Sequence, residues 1–117
     1  MTYFEAGFFQ KHNFTKDQIG QLFLNAIRDL DIACKDAIPE VKFTYSYNAF
    51  IKIGIYLIAK VGNVRVKSAL GHHIKIIEKM AEILKDEEVA VIGNAMRTKR
   101  NLDFWAGINC RCAIGAL

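Results

Sequence analysis

Proline is almost missing from this chain. Its one proline, Pro39, and its eight glycines are too few to supply the turns of an all-β fold. No apolar run is long enough to cross a bilayer. The longest, Ala49 to Val61 (AFIKIGIYLIAKV), falls short of the ~20 residues required, and Lys52 and Lys60 interrupt it. It reads as a buried helix, and no membrane partner is expected.

Cysteine is scarce and odd in number: Cys34, Cys110 and Cys112. With no secretory leader at the start of the chain, free thiols in a reducing cytoplasm are the simple expectation. Cys110-Arg111-Cys112 lacks a second ligand pair at matched spacing, since His12, His72, His73 and Cys34 are all distant in sequence. No metal and no cofactor is therefore expected. One-signed charge is also missing: a net +4 biases the surface only mildly towards polyanions, and clustering would be the diagnostic feature. What remains is 117 residues, 52% hydrophobic and 24% charged, which describes one ordinary soluble globular domain.

Residues 1–14 hold Tyr3, Phe4, Phe8, Phe9 and Phe14 without clear periodicity. They read as an N-terminal aromatic arm, or a strap over an apolar groove. A helical domain is expected over 15–107, with a short tail over 108–117. Thr15-Lys16-Asp17-Gln18 has the form of a capping box. Behind it Ile19, Leu22, Phe23, Ala26, Ile27, Leu30 and Ala33 recur at helical spacing, which predicts a first helix ending before Pro39. Pro39 opens a second helix, apolar almost all round, that Gly62-Asn63 stops. Val64 to Gly71 (VRVKSALG) reads as a basic connector. A third helix is predicted over 71–84 with Ile74, Ile77, Ala81 and Leu84 inward. Asp86 caps a fourth, with Glu87 and Glu88 in its first turn and Val89, Ile92 and Met96 on one face. The expected fold is all-α, an antiparallel four- to five-helix bundle.

The candidate chemistry sits at the far end of that fourth helix, in Met96-Arg97-Thr98-Lys99-Arg100-Asn101-Leu102-Asp103-Phe104-Trp105. Guanidinium offers phosphate a bidentate fork, and Arg97 and Arg100, three apart, share a helix face while Lys99 points away. The plainer alternative is that these cations neutralise a helix C-terminus and pair with Asp103. Asn101 either orients Arg100 or simply ends the helix. Trp105 and Phe104 either stack on an unpaired base or pack at an interface. His72 and His73 titrate near neutrality and point in different directions, so at most one faces a site made with Arg100. Arg65, Lys67, Lys75 and Lys79 would extend a basic face if they cluster. Tyr45, Tyr47 and Tyr56 are expected to pack in the core or between subunits, hydroxyls outward.

Taken in order, Tyr45-Ser46-Tyr47-Asn48-Ala49-Phe50, Val64-Arg65-Val66-Lys67-Ser68, Gly71-His72-His73-x-x-x-Ile77-Glu78 and Met96-Arg97-x-x-Arg100-Asn101-x-Asp103-x-Trp105 resemble the HEPN superfamily. These are the small helical domains of toxin–antitoxin and related systems. The resemblance spans roughly residues 15 to 107. It implies an intracellular helical bundle, often a homodimer, and in some branches a nucleotidyltransferase antitoxin as partner. Active members cleave RNA without metal, using an Arg followed a few residues later by His. Arg100 matches the Arg and Asn101 the polar residue after it, but Trp105 stands where the His, or the Tyr of some branches, would be.

Three functions follow as expectations. The first is a non-catalytic or weakly active domain that binds RNA, a nucleotide phosphate or a partner protein through Arg97, Lys99, Arg100 and Asn101, with Arg65, Lys67 and Trp105 in support. The second is a metal-independent ribonuclease toxin in which Arg100 and Asn101 act with His73 or Asp103 as a substitute acid or base. The third is a structural protein-interaction module.

Overall fold

The computed structural model describes the backbone of residues 2–115 and the side chains of residues 2–102. Its elements run β1 (Phe9–Lys11), α1 (Lys16–Lys35), α2 (Pro39–Gly62), β2 (Val64–Val66), α3 (His72–Leu84) and α4 (Glu87–Gly115). The chain is mostly helical, but it is not all-α.

Local chemistry accounts for the helix ends. Thr15 Oγ1 accepts from the Gln18 amide at 3.1 Å, and Gln18 Oε1 accepts from the Thr15 amide at 2.9 Å, the reciprocal box that the sequence predicts. The Lys42 ammonium, from the next helix, donates to the Ala33 and Cys34 carbonyls at the end of α1. Pro39 occupies the first turn of α2, and Asn63 ends that helix in the left-handed region (φ 50°), which Asn tolerates better than most residues. Asp86 Oδ1 accepts from the Glu88 amide at 3.0 Å at the start of α4. That helix continues through Gly107 to Gly115 rather than giving way to a separate tail.

The N-terminal segment belongs to the packed unit. Phe9 pairs with Val66, Gln10 with Arg65 and Lys11 with Val64 in an antiparallel two-stranded sheet. Phe9 is buried, and Phe4 meets its ring edge-on at 5.3 Å. The supposed connector is thus a strand, and its Val-Arg-Val alternation is the period-2 pattern of one. Below it Lys79, 2% exposed, binds Glu5 at 2.8 Å. Burial disfavours the charge on Lys79, but the Glu5 hydrogen bond and the Glu82 and Glu78 carboxylates outweigh it and raise its pKa. The hydrogen bond from Lys79 holds the Glu5 carboxyl below its usual range, against the opposing effect of burial.

The core comprises Phe9, Tyr47, Ile51, Ile58, Ile76, Ile77 and Met80, with Phe50, Val89, Ala90 and Met96 packed on it. On α3 the inward residues are therefore Ile76, Ile77 and Met80, while Ile74 and Leu84 face out. On α4 Val89 and Met96 point in as expected, but Ile92 is exposed and Gly93 takes its place against Ile77 and Phe50. In α1 only Ala26, Asp29 and Ala33 are fully covered. Asp29 is held at 2.6 Å by Lys52 of α2, so a charged pair replaces part of the apolar seam. Among the described residues no helix is long and apolar enough to cross a membrane.

Gly54 marks the tightest helix crossing. A Cβ there would lie 2.5 Å from Ile76 Cγ2 and Met80 Sδ. Gly20, on the exposed side of α1, has no neighbouring atom within 4 Å of such a position. Gly54→Ala is expected to destabilise by about 1–3 kcal/mol through overpacking, whereas Gly20→Ala should stabilise by roughly 0.5–1 kcal/mol through reduced backbone entropy. Urea denaturation of the two variants checks this, and equal effects would refute the close crossing.

Candidate functional site

The connector after β2 turns through Leu70 and Gly71, and Gly71 adopts φ 79°, a conformation that suits glycine. It starts α3 without a side-chain cap. The first turn of this helix therefore presents its amide end to whatever lies beyond it.

Two histidines follow, and Nδ1 of each ring is engaged. His72 Nδ1 lies 2.8 Å from the Ala69 carbonyl oxygen, which can only accept. Nδ1 therefore carries a proton, and Nε2 of the neutral ring is an acceptor. His73 Nδ1 lies 2.9 Å from the hydroxyl of Tyr47, a residue with no exposed surface. Burial pushes the Tyr47 pKa up despite the nearby Arg100 and Arg97, so the phenol keeps its proton, and the direction of the bond follows the tautomer of His73. Burial, followed by the neighbouring His72, Arg100 and Arg97, lowers the His73 pKa below its usual value of 6.5. The two rings meet edge-to-face, centroids 4.5 Å apart.

The fourth helix brings its cations to the same place. The Arg100 guanidinium lies 5.4 Å from the centroid of the Tyr47 ring, within cation–π range. Arg97 reaches Asn94 Oδ1 at 3.5 Å, the outer limit of a hydrogen bond. Between these helices is a cleft of ≈ 670 Å³. One wall is Ser68 to Ile74, including His72 and His73; the other is Arg97, Arg100 and Asn101. Among the described residues no carboxylate lines it, and neither arginine has an ion-pair partner.

Five residues singled out from the sequence thus converge: Arg97, Arg100, Asn101, His72 and His73. Lys99 does not; it lies over the Phe43 ring at 4.6 Å, on the side that helical spacing assigned to it. Arg65 and Lys67 are engaged elsewhere, Arg65 with Gln10 and Lys67 with the Ala6 carbonyl, and neither lines the cleft. Lys75 and Lys79 face Glu5 and Glu78 instead of extending a basic face. The side chains of Asp103, Phe104, Trp105, Cys110 and Cys112 lie outside the described residues, and Cys34 is exposed and unpaired. Among the described residues no three His, Cys, Asp or Glu side chains group as metal ligands.

Two features of the site depart from the sequence reading, which allowed at most one of the two histidines to face it and turned the tyrosine hydroxyls outward. His72 lines the cleft alongside His73, and the Tyr47 hydroxyl points inward to hold His73 rather than outward. A helix opening immediately after a glycine, with histidine in its first position, is the local signal for the former. Nothing local announces the Tyr47–His73 bond, which joins residues 26 apart. No family model, curated protein or solved structure matches this chain.

The depressed His73 pKa ties stability to pH. Above the unfolded value of about 6.5 the ring is neutral in both states and its contribution is complete. Below it the unfolded chain takes up the proton first, so stability falls until pH drops past the folded pKa. Melting temperatures at pH 7.5 and pH 5 should differ less in His73→Gln than in the wild type. Identical pH dependence would mean that His73 protonates freely in the fold.

Proposed function

We propose that this chain is a HEPN-like helical domain that binds the phosphate of an RNA strand in the cleft between the start of α3 and Arg97 and Arg100. The observation that carries this is the cleft's charge. Two guanidiniums, an amide side chain and an uncapped helix N-terminus meet there, and no carboxylate among the described residues lines the walls. Each of these features favours an anion: bidentate guanidinium bonds and the positive end of α3. A net charge of +4 adds a weak long-range attraction. The Tyr47 ring supports Arg100 from behind, so the fork is partly oriented before ligand arrives.

The protein acts as a homodimer in this reading. Phe23, Ile27 and Leu30 form an apolar row on α1, 40%, 39% and 47% exposed, which a second copy would cover.

Arg100→Ala should weaken binding of a labelled RNA by about tenfold or more, the equivalent of losing about 1.5–3 kcal/mol from a charged hydrogen bond. It should also flatten the salt dependence, because each phosphate contact releases a counterion. Fluorescence anisotropy across a salt series measures both effects. Unchanged affinity would remove the cleft from consideration as the binding site.

A second reading, a metal-independent ribonuclease, is favoured by one observation. His72 Nε2 is an acceptor on a ring fixed by Ala69, as a base for a ribose 2′-hydroxyl must be. Strand cleavage in EDTA that disappears in both Arg100→Ala and His72→Gln would establish it. Uncut RNA would leave binding alone.

A further inference from the structure

His73 meets titratable and charged groups from three helices. On α3 itself the His72 ring stands edge-on to it, centroids 4.5 Å apart. From α4, Arg97 and Arg100 line the same cleft, and from α2 the Tyr47 hydroxyl lies 2.9 Å from Nδ1. Glu5 and Glu78 are engaged by Lys75 and Lys79, and no carboxylate among the described residues lines the cleft. Burial and then these positive neighbours make the His73 ring reluctant to take a proton. Its hydrogen bond does not forbid one. A hydroxyl donates to a bare ring nitrogen and accepts from a protonated one, so the Tyr47 bond can reverse and persist when His73 becomes cationic. Tyr47 is fully buried, and the Arg100 guanidinium lies 5.4 Å from its ring centroid. One buried side chain thus touches both the histidine and a cation of the opposite wall.

We infer that the cleft takes up a proton together with its phosphate, the proton on His73, with Tyr47 the positioning residue that holds the ring in both charge states. The inference rests on the phosphate-binding reading above and adds how pH regulates that site. A phosphate between Arg97, Arg100 and the start of α3 offsets the positive potential that His73 meets, so the ring then holds its proton more tightly. Linkage is reciprocal: if phosphate favours the proton, the proton favours phosphate by the same factor. At high pH the ring is neutral with or without phosphate, and affinity has its lower value. As pH falls through the pKa of the complex, the complex takes up a proton that the free protein does not, and affinity climbs. It levels off below the lower pKa of the free protein, where both forms carry the charge. The gain is about tenfold for each pKa unit between the two. His72, whose Nδ1 is committed to the Ala69 carbonyl, is the competing place for the proton.

The probe is a rhodamine-labelled oligouridylate, whose phosphodiesters and bases do not titrate between pH 5.5 and pH 8. By fluorescence anisotropy, wild type should bind it about fivefold or more tighter at pH 5.5 than at pH 8. His73→Gln should bind at both pH values as wild type does at pH 8. Tyr47→Phe keeps a ring beneath Arg100 but leaves the cationic Nδ1 without its acceptor, so the rise in affinity should move to lower pH. NMR titration of the wild-type histidine rings reads the same proton without a substitution, and the His73 pKa should rise when the RNA is bound. Equal wild-type affinity at both pH values, still lost in Arg100→Ala, would overturn the inference and leave phosphate binding standing. So would a pH dependence that survives in His73→Gln and disappears in His72→Gln, or a His73 pKa that the RNA leaves unmoved. An unshifted rise in Tyr47→Phe would overturn the role given to Tyr47. No binding of the RNA at either pH would overturn both readings.

Discussion

At Gly54 the chain has no side chain, and α3 presses into the vacancy until Ile76 and Met80 occupy the space of a methyl group. That crossing sets the register between α2 and α3. Tyr47, Ile51, Gly54 and Ile58 follow one another at helical spacing along the buried face of α2. With Gly54 against Ile76 and Met80, Tyr47 lies two turns back along α2, where His73 comes within reach one turn back along α3. The hydroxyl–imidazole bond is thus a consequence of how closely two helices approach several residues away. Gly93 repeats the device on α4, where Ile77 and Phe50 fill its side, and this brings Arg97 and Arg100 over the start of α3.

Charge is handled in two different ways in this protein. Where it is buried it is matched: Asp29 has Lys52 between α1 and α2, and Lys79 has Glu5, Glu78 and Glu82 beneath the sheet. Matching is what burial demands, because an unpaired interior charge is far more expensive than an exposed one. In the cleft, by contrast, cations accumulate and no carboxylate among the described residues lines the walls. Their close neighbours there are an aromatic ring and two histidines, and His73 responds by holding its proton less tightly. Among the described residues the local positive potential is left without a carboxylate, an arrangement poorly suited to stabilising a fold.

The parts of this fold legible in the sequence are those fixed within a few residues of themselves. Thr15 and Gln18, Pro39, Asn63 and Asp86 mark helix ends by short-range hydrogen bonds or backbone geometry, and each does so in the structure. Arg97 and Arg100 share a face because three residues make nearly one turn. What could not be read depends on distant pairings. Val64-Arg65-Val66 is a strand only because Phe9 to Lys11 lies beside it, and three alternating residues are too few to outweigh a helical context. Ile74, Leu84 and Ile92 face out although periodicity places them inward, because hydrophobicity alone does not distinguish a core position from an exposed apolar one. Glycine at 93, which periodicity counts as a gap, is a point of close packing.

The sheet has a consequence for the order in which the protein is assembled. Gln10 and Arg65, neighbours across the two strands, are 55 residues apart in the chain. Synthesis runs from the N-terminus, so Phe4, Phe8 and Phe9 are made first, yet the strand and helix that cover them are not available until most of the domain exists. The capped α1 and the proline-led start of α2 can form from local contacts in the meantime. The aromatic segment is therefore made well before the elements that bury it, and its side chains must stay in solution until α3 arrives with Lys79 to take hold of Glu5.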